Sequence, residues 1–236
     1  VRRGSTGGGG VIDFGRPGDR LAPRLIVTDV DSTLIREEVI EELAEHAGAR
    51  DEVAAITARA MNGEIDFAQS LRERVATLAG VADSVFAEVL SQIHPTPGAQ
   101  TFIDAVHAVG GRFGVVSGGF EEVVAPLCER MGIDFWFANR LEVADGILTG
   151  RVLGKIVTAE AKVAKLRSWA AECGISLAET AAVGDGANDI PMLKTAGIGI
   201  AFCAKPAVRE QVEFRLDTPR LDLLIEPLGL ASPTSR

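Results

Sequence analysis

A chain of 236 residues with 24 Lys and Arg against 33 Asp and Glu carries a formal charge of −9, which argues against a general nucleic-acid or anionic-membrane binder, since those need a basic face. Hydrophobic residues at 47% and charged residues at 24% make a folding composition rather than a disordered one, and the absence of Tyr, with aromatics at 5%, argues against a platform for stacking single strands. The longest apolar runs, such as residues 198–204, fall far short of the ~20 residues that a membrane helix needs. In chain order, residues 1–24 read as a loose arm. Arg2, Arg3, Arg16, Arg20 and Arg24 outnumber Asp13 and Asp19 there, residues 7–10 are all glycine, and Pro17-Gly18 interrupts any period. No long apolar segment follows those arginines, so a secretory signal is not expected. Leu25-Ile26-Val27-Thr28 is a β-rich run that reads as a buried strand ending in Asp29-Val30-Asp31.

About 34–94 then reads as helices without a strand. Val39, Ile40, Leu43 and Ala47 make one apolar face, and Val53, Ile56 and Ala60 a second. Phe67, Leu71, Val75 and Leu78 make a third, and Val85, Phe86, Val89, Leu90 and Ile93 a fourth, with Gly48, Gly63 and Gly80 at the joins. Pro95-Thr96-Pro97-Gly98 stops that run. Beyond it the spacing predicts helix 99–109, strand 112–116, helix 121–131, strand 134–138 and a hairpin turning at Asp145-Gly146. Helix 158–172, strand 180–184, a short helix near 189–196 and strand 198–202 follow. Such alternation predicts an α/β fold, a parallel sheet wrapped by helices. The helical insert after the first strand would lie over the carboxyl ends of the strands, where open sheets of this class bind ligands. The expected division is a flexible arm 1–24, a core of 25–34 and 95–228, a helical insert 35–94 and a tail 229–236.

Cys128, Cys173 and Cys203 are odd in number and widely spaced, which fits neither a disulfide frame nor a zinc site. They read as small buried residues of a protein in a reducing cytoplasm. His46, His94 and His107 are scattered and are expected on helix surfaces without a chemical role.

Four short clusters could carry chemistry. Asp29-Val-Asp-Ser-Thr33 places two carboxylates two residues apart, on one side of the chain if it stays extended. Their repulsion would be relieved by a cation such as Mg2+, although a solvated Asp followed by a helix cap has the same pattern. Gly184-Asp-Gly-Ala-Asn-Asp189 also follows a short apolar run and reads either as a ligand-approaching loop or as an ordinary Asp/Gly turn. Ser117-Gly118-Gly119 offers a hydroxyl and exposed amides at a strand end, an anion cradle or a plain glycine turn. Lys162 lies early in a predicted helix, where periodicity does not separate it from Lys155 or Lys165. Taken together, the first three clusters end strands of one parallel sheet. Aspartates, a hydroxyl, glycine amides and a lysine at one edge are what phosphoryl transfer requires.

Asp29-Val-Asp-Ser-Thr, Ser117-Gly-Gly, Lys162 and Gly184-Asp-Gly-Ala-Asn-Asp189 resemble the four motifs of the haloacid dehalogenase superfamily. Met61-Asn-Gly-Glu-Ile-Asp-Phe67-Ala-Gln-Ser-Leu-Arg-Glu-Arg74 and Ala201-Phe-Cys-Ala-Lys-Pro206 are similar, more narrowly, to the phosphoserine phosphatases. The likeness covers roughly 25–226 and implies a Rossmann-like core with a small helical cap. It implies hydrolysis of O-phospho-L-serine, the last step of serine biosynthesis, with Asp29 as nucleophile and Asp31 as general acid and then base. Mg2+ would be held by Asp29, the backbone carbonyl of Asp31, and Asp185. Ser117, Gly118 and Lys162 would hold the phosphoryl group. Asp189 would orient Lys162 and water on the metal, with Asn188 close by on the substrate side. Glu38 would take the substrate ammonium and Arg74 its carboxylate, between walls of Met61 and Phe67. Some relatives carry an N-terminal regulatory domain, for which this chain is too short. The implied partner is a small-molecule substrate, with no nucleic acid and no membrane, in a cytoplasmic monomer or homodimer. A phosphotransferase acting on homoserine, a non-catalytic phosphate-sensing module and a receiver-like domain phosphorylated on Asp29 stay as alternatives; the intact acids disfavour the second, the insert the third.

Overall fold

The computed structural model describes residues 22–62 and 64–230. Most of the predicted arm, Gly63 and the last part of the predicted tail lie outside the described residues. β1 (Leu25–Thr28) shows why an unbroken apolar run can be a strand: all four residues are buried, because a central parallel strand is covered on both faces. Its side chains alternate between two layers. Ile26 packs with Phe113, Val183 and Ile200 on one face, whereas Leu25 and Val27 join Val116, Ala182 and Trp169 on the other.

After β1 come four helices, α1 (Val39–His46), α2 (Arg50–Met61), α3 (Phe67–Ala76) and α4 (Val85–Gln92). Each turns apolar residues inward, and Asp66 caps α3 by accepting from the Gln69 N–H at 2.7 Å. The two ends of this stretch are tied by a single β-bridge between Ile35 and Pro95, outside any strand. Then follow α5 (Ala99–Ala108), β2 (Arg112–Phe120), α6 (Glu121–Met131), β3 (Phe135–Ala144), β4 (Ile147–Leu153) and α7 (Ala159–Glu172). The chain closes with β5 (Thr180–Gly184), α8 (Ile190–Thr195), β6 (Ile198–Phe202), α9 (Pro206–Arg209) and β7 (Phe214–Leu216). The seven strands lie in the order β4-β3-β2-β1-β5-β6-β7. Every neighbouring pair is parallel except the β3–β4 hairpin. That hairpin turns through Asp145 (φ 52°) and Gly146 (φ 76°), the left-handed pair that a two-residue turn demands. Its tip hydrogen-bonds back to residues 80–83, tying it to the helical stretch.

Predicted and observed elements agree closely, with instructive differences. β2 runs on through Ser117-Gly118-Gly119 to Phe120, because the glycines stay extended instead of turning. β7 has three residues, too few for a periodic signal. The buried face of α2 is Val53, Thr57, Ala60 and Met61, not Val53, Ile56 and Ala60; Thr57 goes inward because its hydroxyl is satisfied there. His94 follows α4 instead of lying on a helix, and its ring holds Glu37 at 2.9 Å. Of the cysteines only Cys128 is buried, with its thiol pushed up to about 12 by that burial; Cys173 and Cys203 are half-buried. No helix among the described residues is long and apolar enough to cross a membrane.

Candidate active site

Strand pairing stops at Thr28, which aligns with Val115 of β2 and Val183 of β5. Asp29 and Asp31 nevertheless keep extended dihedrals (φ −69° and −63°), within a turn over Val30–Leu34 in which Ser32 takes a left-handed φ of 54°. A hydrogen bond from the Ile35 N–H to the Val30 carbonyl closes that turn. Both carboxylates therefore stay buried above the carboxyl edge of the sheet. Asp31 accepts from the Val39 N–H at the start of α1 (2.7 Å) and from the Ser117 hydroxyl (3.1 Å). Ser117 in turn accepts from the Gly119 N–H at 2.8 Å. Gly118 lets the Phe67 ring come close: a Cβ there would lie 2.7 Å from Cζ of Phe67, and the ring would have to shift.

The other two clusters converge on the same point. Thr158 caps α7, which presents Lys162 one turn inside the helix, fully buried. Its ammonium lies 2.9 Å from Asp29 Oδ1 and 2.7 Å from Asp189 Oδ1. Lys165 instead reaches over the ring of Phe137. Asp189 uses its second oxygen to accept from the Gly186 N–H at 3.1 Å. Asp185, just past β5, accepts from Thr33 through Oδ1 at 3.2 Å, while its buried Oδ2 has no hydrogen-bond partner among the described residues.

Carboxylate oxygens of Asp29, Asp185 and Asp189 lie within 4.8 Å of one another. One buried ammonium does not balance them. Burial, followed by Asp189, pushes Asp29 well above the usual carboxylate range and Asp185 up to about 7. Burial also raises Asp31, against its hydrogen bonds from Val39 and Ser117. At Lys162 burial disfavours the charge, but Asp189 and Asp29 outweigh it and hold the ammonium above the ordinary lysine value. Surplus buried negative charge, hard oxygen donors and an Asp185 oxygen with no hydrogen-bond donor, only the half-exposed Lys205 ammonium at 4.0 Å, suit a divalent cation.

A pocket opens between this edge and the helices. Asp29, Asp31, Glu38, Met61, Phe67, Arg74, Gly118 and Asn188 all line it, with Ile40, Leu71 and Gly119. Ser117, Lys162, Asp185 and Asp189 do not line that pocket; they are buried around Asp29 and Asp31. Glu38 accepts from the Ser32 hydroxyl at 2.6 Å and is pushed well up by burial and then by Asp31. Both amide atoms of buried Asn188 and one guanidinium nitrogen of Arg74 lack partners among the described residues. Several contributors escaped sequence reasoning. Thr57 and Ser70 hold Arg74, Ser32 holds Glu38, and Thr33 holds Asp185. Asn139, fully buried, donates to the Gly118 carbonyl and accepts from the Val157 N–H, both at 2.8 Å. Ser32 and Thr33 carry a local signal, since they follow the acidic pair directly, and Ser70 lies one helical turn from Arg74; Thr57 and Asn139 act across 17 to 21 positions, which no short motif spans.

Residues 26–194 match the profile of the haloacid dehalogenase-like hydrolase family. The phosphoserine phosphatase of Streptococcus thermophilus is 57% identical over 204 residues, covering 86% of this chain and 95% of that protein. A solved phospho-aspartyl intermediate analogue of phosphoserine phosphatase superposes with a TM-score of 0.84 at 43% identity, covering 86% of this chain and 98% of the other. A substrate-bound phosphoserine phosphatase complex gives the same TM-score, identity and share of this chain, with 97% of its own chain covered. With its motifs gathered at one sheet edge and these three relatives alike over nearly their whole length, the chain belongs to the haloacid dehalogenase-like hydrolases, on their phosphoserine phosphatase branch.

Proposed function

We propose that this chain hydrolyses O-phospho-L-serine to L-serine and phosphate through an aspartyl-phosphate on Asp29. One observation carries the reading: the Asp29–Asp31 pair shares an enclosed pocket with one further acid, Glu38, and one buried arginine, Arg74. That set matches a molecule bearing a phosphate, an ammonium and a carboxylate. The helices α1–α4 form the cap over the sheet edge, and Met61 and Phe67 wall the pocket.

In the first step a carboxylate oxygen of Asp29 attacks phosphorus and the bond from phosphorus to the serine oxygen breaks. Asp31 gives its proton to that departing oxygen. In the second step Asp31 takes a proton from the water that attacks phosphorus, which frees Asp29 and releases phosphate. Splitting the hydrolysis in this way replaces one difficult displacement by two easier ones. Burial raises the pKa of Asp31, which suits a group that must begin protonated. Ser117, the Gly118 amide and Lys162 hold the phosphoryl oxygens, and Asp189 keeps the Lys162 ammonium in place. Mg2+ would be held by Asp29, the Asp31 carbonyl and Asp185, and when bound it supplies the positive charge that lets a phosphate dianion approach carboxylates. Glu38 receives the ammonium, Arg74 the carboxylate, and the amide of Asn188 lies beside them. The unpaired cysteines fit a reducing cytoplasm.

The test is phosphate release from a panel of phosphorylated metabolites, with Mg2+ and with a chelator. L-phosphoserine should be preferred, and release should stop when the cation is removed. Asp29→Asn should abolish turnover while leaving the circular dichroism spectrum intact; a variant that still turns over would exclude Asp29 as nucleophile.

A further inference from the structure

Arg74 is an unusual cation. Its side chain is 2% exposed, and a buried charge needs partners to stay in place. Glu38, Asp31 and Glu41 favour its charge from nearby, but its hydrogen-bond partners are all neutral. Nε donates to the Ser70 carbonyl at 3.2 Å, one turn back on α3, and Nη1 donates to the Thr57 hydroxyl at 3.0 Å, across on α2. The ring of Phe67 lies 5.8 Å from the guanidinium carbon. The remaining nitrogen, Nη2, is buried and has no partner among the described residues.

Thr57 is itself 3% exposed, and its hydroxyl donates to the Val53 carbonyl at 2.9 Å and accepts from Arg74. Because its single proton is committed to Val53, its lone pairs face Arg74, and it is a fixed acceptor. A planar guanidinium tied through Nε and Nη1 cannot rotate. Its free Nη2 edge is then fixed in a residue that lines the pocket, ready before any ligand arrives.

We infer that Thr57 is a positioning residue for substrate selectivity, locking Arg74 so that its unpaired edge meets the carboxylate of an amino-acid phosphate. The inference rests on the reading that Arg74 receives that carboxylate. It assigns to α2 a role that neither its apolar pattern nor any motif announces.

Thr57→Val keeps the shape and removes the acceptor; Thr57→Ser keeps the acceptor. Their kinetics are compared with L-phosphoserine and with p-nitrophenyl phosphate, which has no carboxylate. Thr57→Val should raise KM for L-phosphoserine about tenfold, the scale of one buried hydrogen bond to a charged group, with kcat within about twofold. KM for p-nitrophenyl phosphate should not move, and Thr57→Ser should restore the wild-type values. Equal changes with both substrates, or no change with L-phosphoserine, would overturn the role. Should the valine fail to fold, Thr57→Ala removes the same hydroxyl and must show the same discrimination. Arg74→Ala, run in parallel, separates the two levels. If it too fails to discriminate between the substrates, the reading of Arg74 is wrong; if it discriminates and Thr57→Val does not, only the inference about Thr57 falls.

Discussion

Asp185 concentrates the site's electrostatic problem. Without a cation, burial and Asp189 push its carboxyl up to about 7, so the folded protein keeps a proton that the unfolded chain releases near its usual 3.8. Asp29, Asp31 and Glu38 are pushed in the same direction. A folded state that binds more protons than the unfolded one loses stability as pH rises, here across the window from 3.8 to about 7. Cation-free protein should therefore melt at a lower temperature at pH 8 than at pH 5. Saturating Mg2+ should raise the melting temperature most at pH 8, by binding the ionised form. Thermal melts in chelator and in Mg2+ decide this; a melting temperature that climbs from pH 5 to pH 8 in chelator would contradict it. Asp185→Asn should flatten the fall in chelator.

Among the elements, β3 does more than extend the sheet. Its Asn139 joins the Gly118 carbonyl of β2 to the Val157 N–H that leads into α7, so one buried amide couples the strand carrying Ser117 to the helix carrying Lys162. Asn139→Ala leaves a buried carbonyl and a buried N–H unpaired, a loss of about 2–4 kcal/mol in unfolding free energy. Denaturant titration should show that loss. Phosphate release should fall with it even where the variant is fully folded, because Ser117 and Lys162 lose their common reference. The residue has no local signature: Asn139 sits in a strand whose alternation is unremarkable, and its partners lie 21 and 18 positions away.

For the molecule as a whole, the decisive contact is that of the helical stretch on the sheet edge. Phe67, at the start of α3, rests directly on Gly118 of β2, so close that a Cβ there would displace the ring. Gly118→Ala would put a methyl group 2.7 Å from the Phe67 ring and hold the helices off the edge. We expect kcat/KM for L-phosphoserine to fall at least about tenfold, as misplacement by a fraction of an ångström does elsewhere. A second change, Phe67→Leu, should recover part of that loss by restoring space. If the double variant is no better than Gly118→Ala alone, the contact is not what limits it.

Local chemistry wrote much of this protein into its sequence. Strand β1, the glycine-marked helix joins, the Asp145-Gly146 hairpin and the acidic or hydroxyl-bearing strand ends are each legible, because period and turn preference act over a few residues. What only the tertiary structure decided is which polar side chains go inside. Lys162 and not Lys165, Thr57 and not Ile56, and Asn139 at the centre of β3 are chosen by partners far along the chain. Burial of a polar group is tolerated only where a partner meets it, and those meetings follow from how the helices and strands pack on one another, which no local pattern encodes.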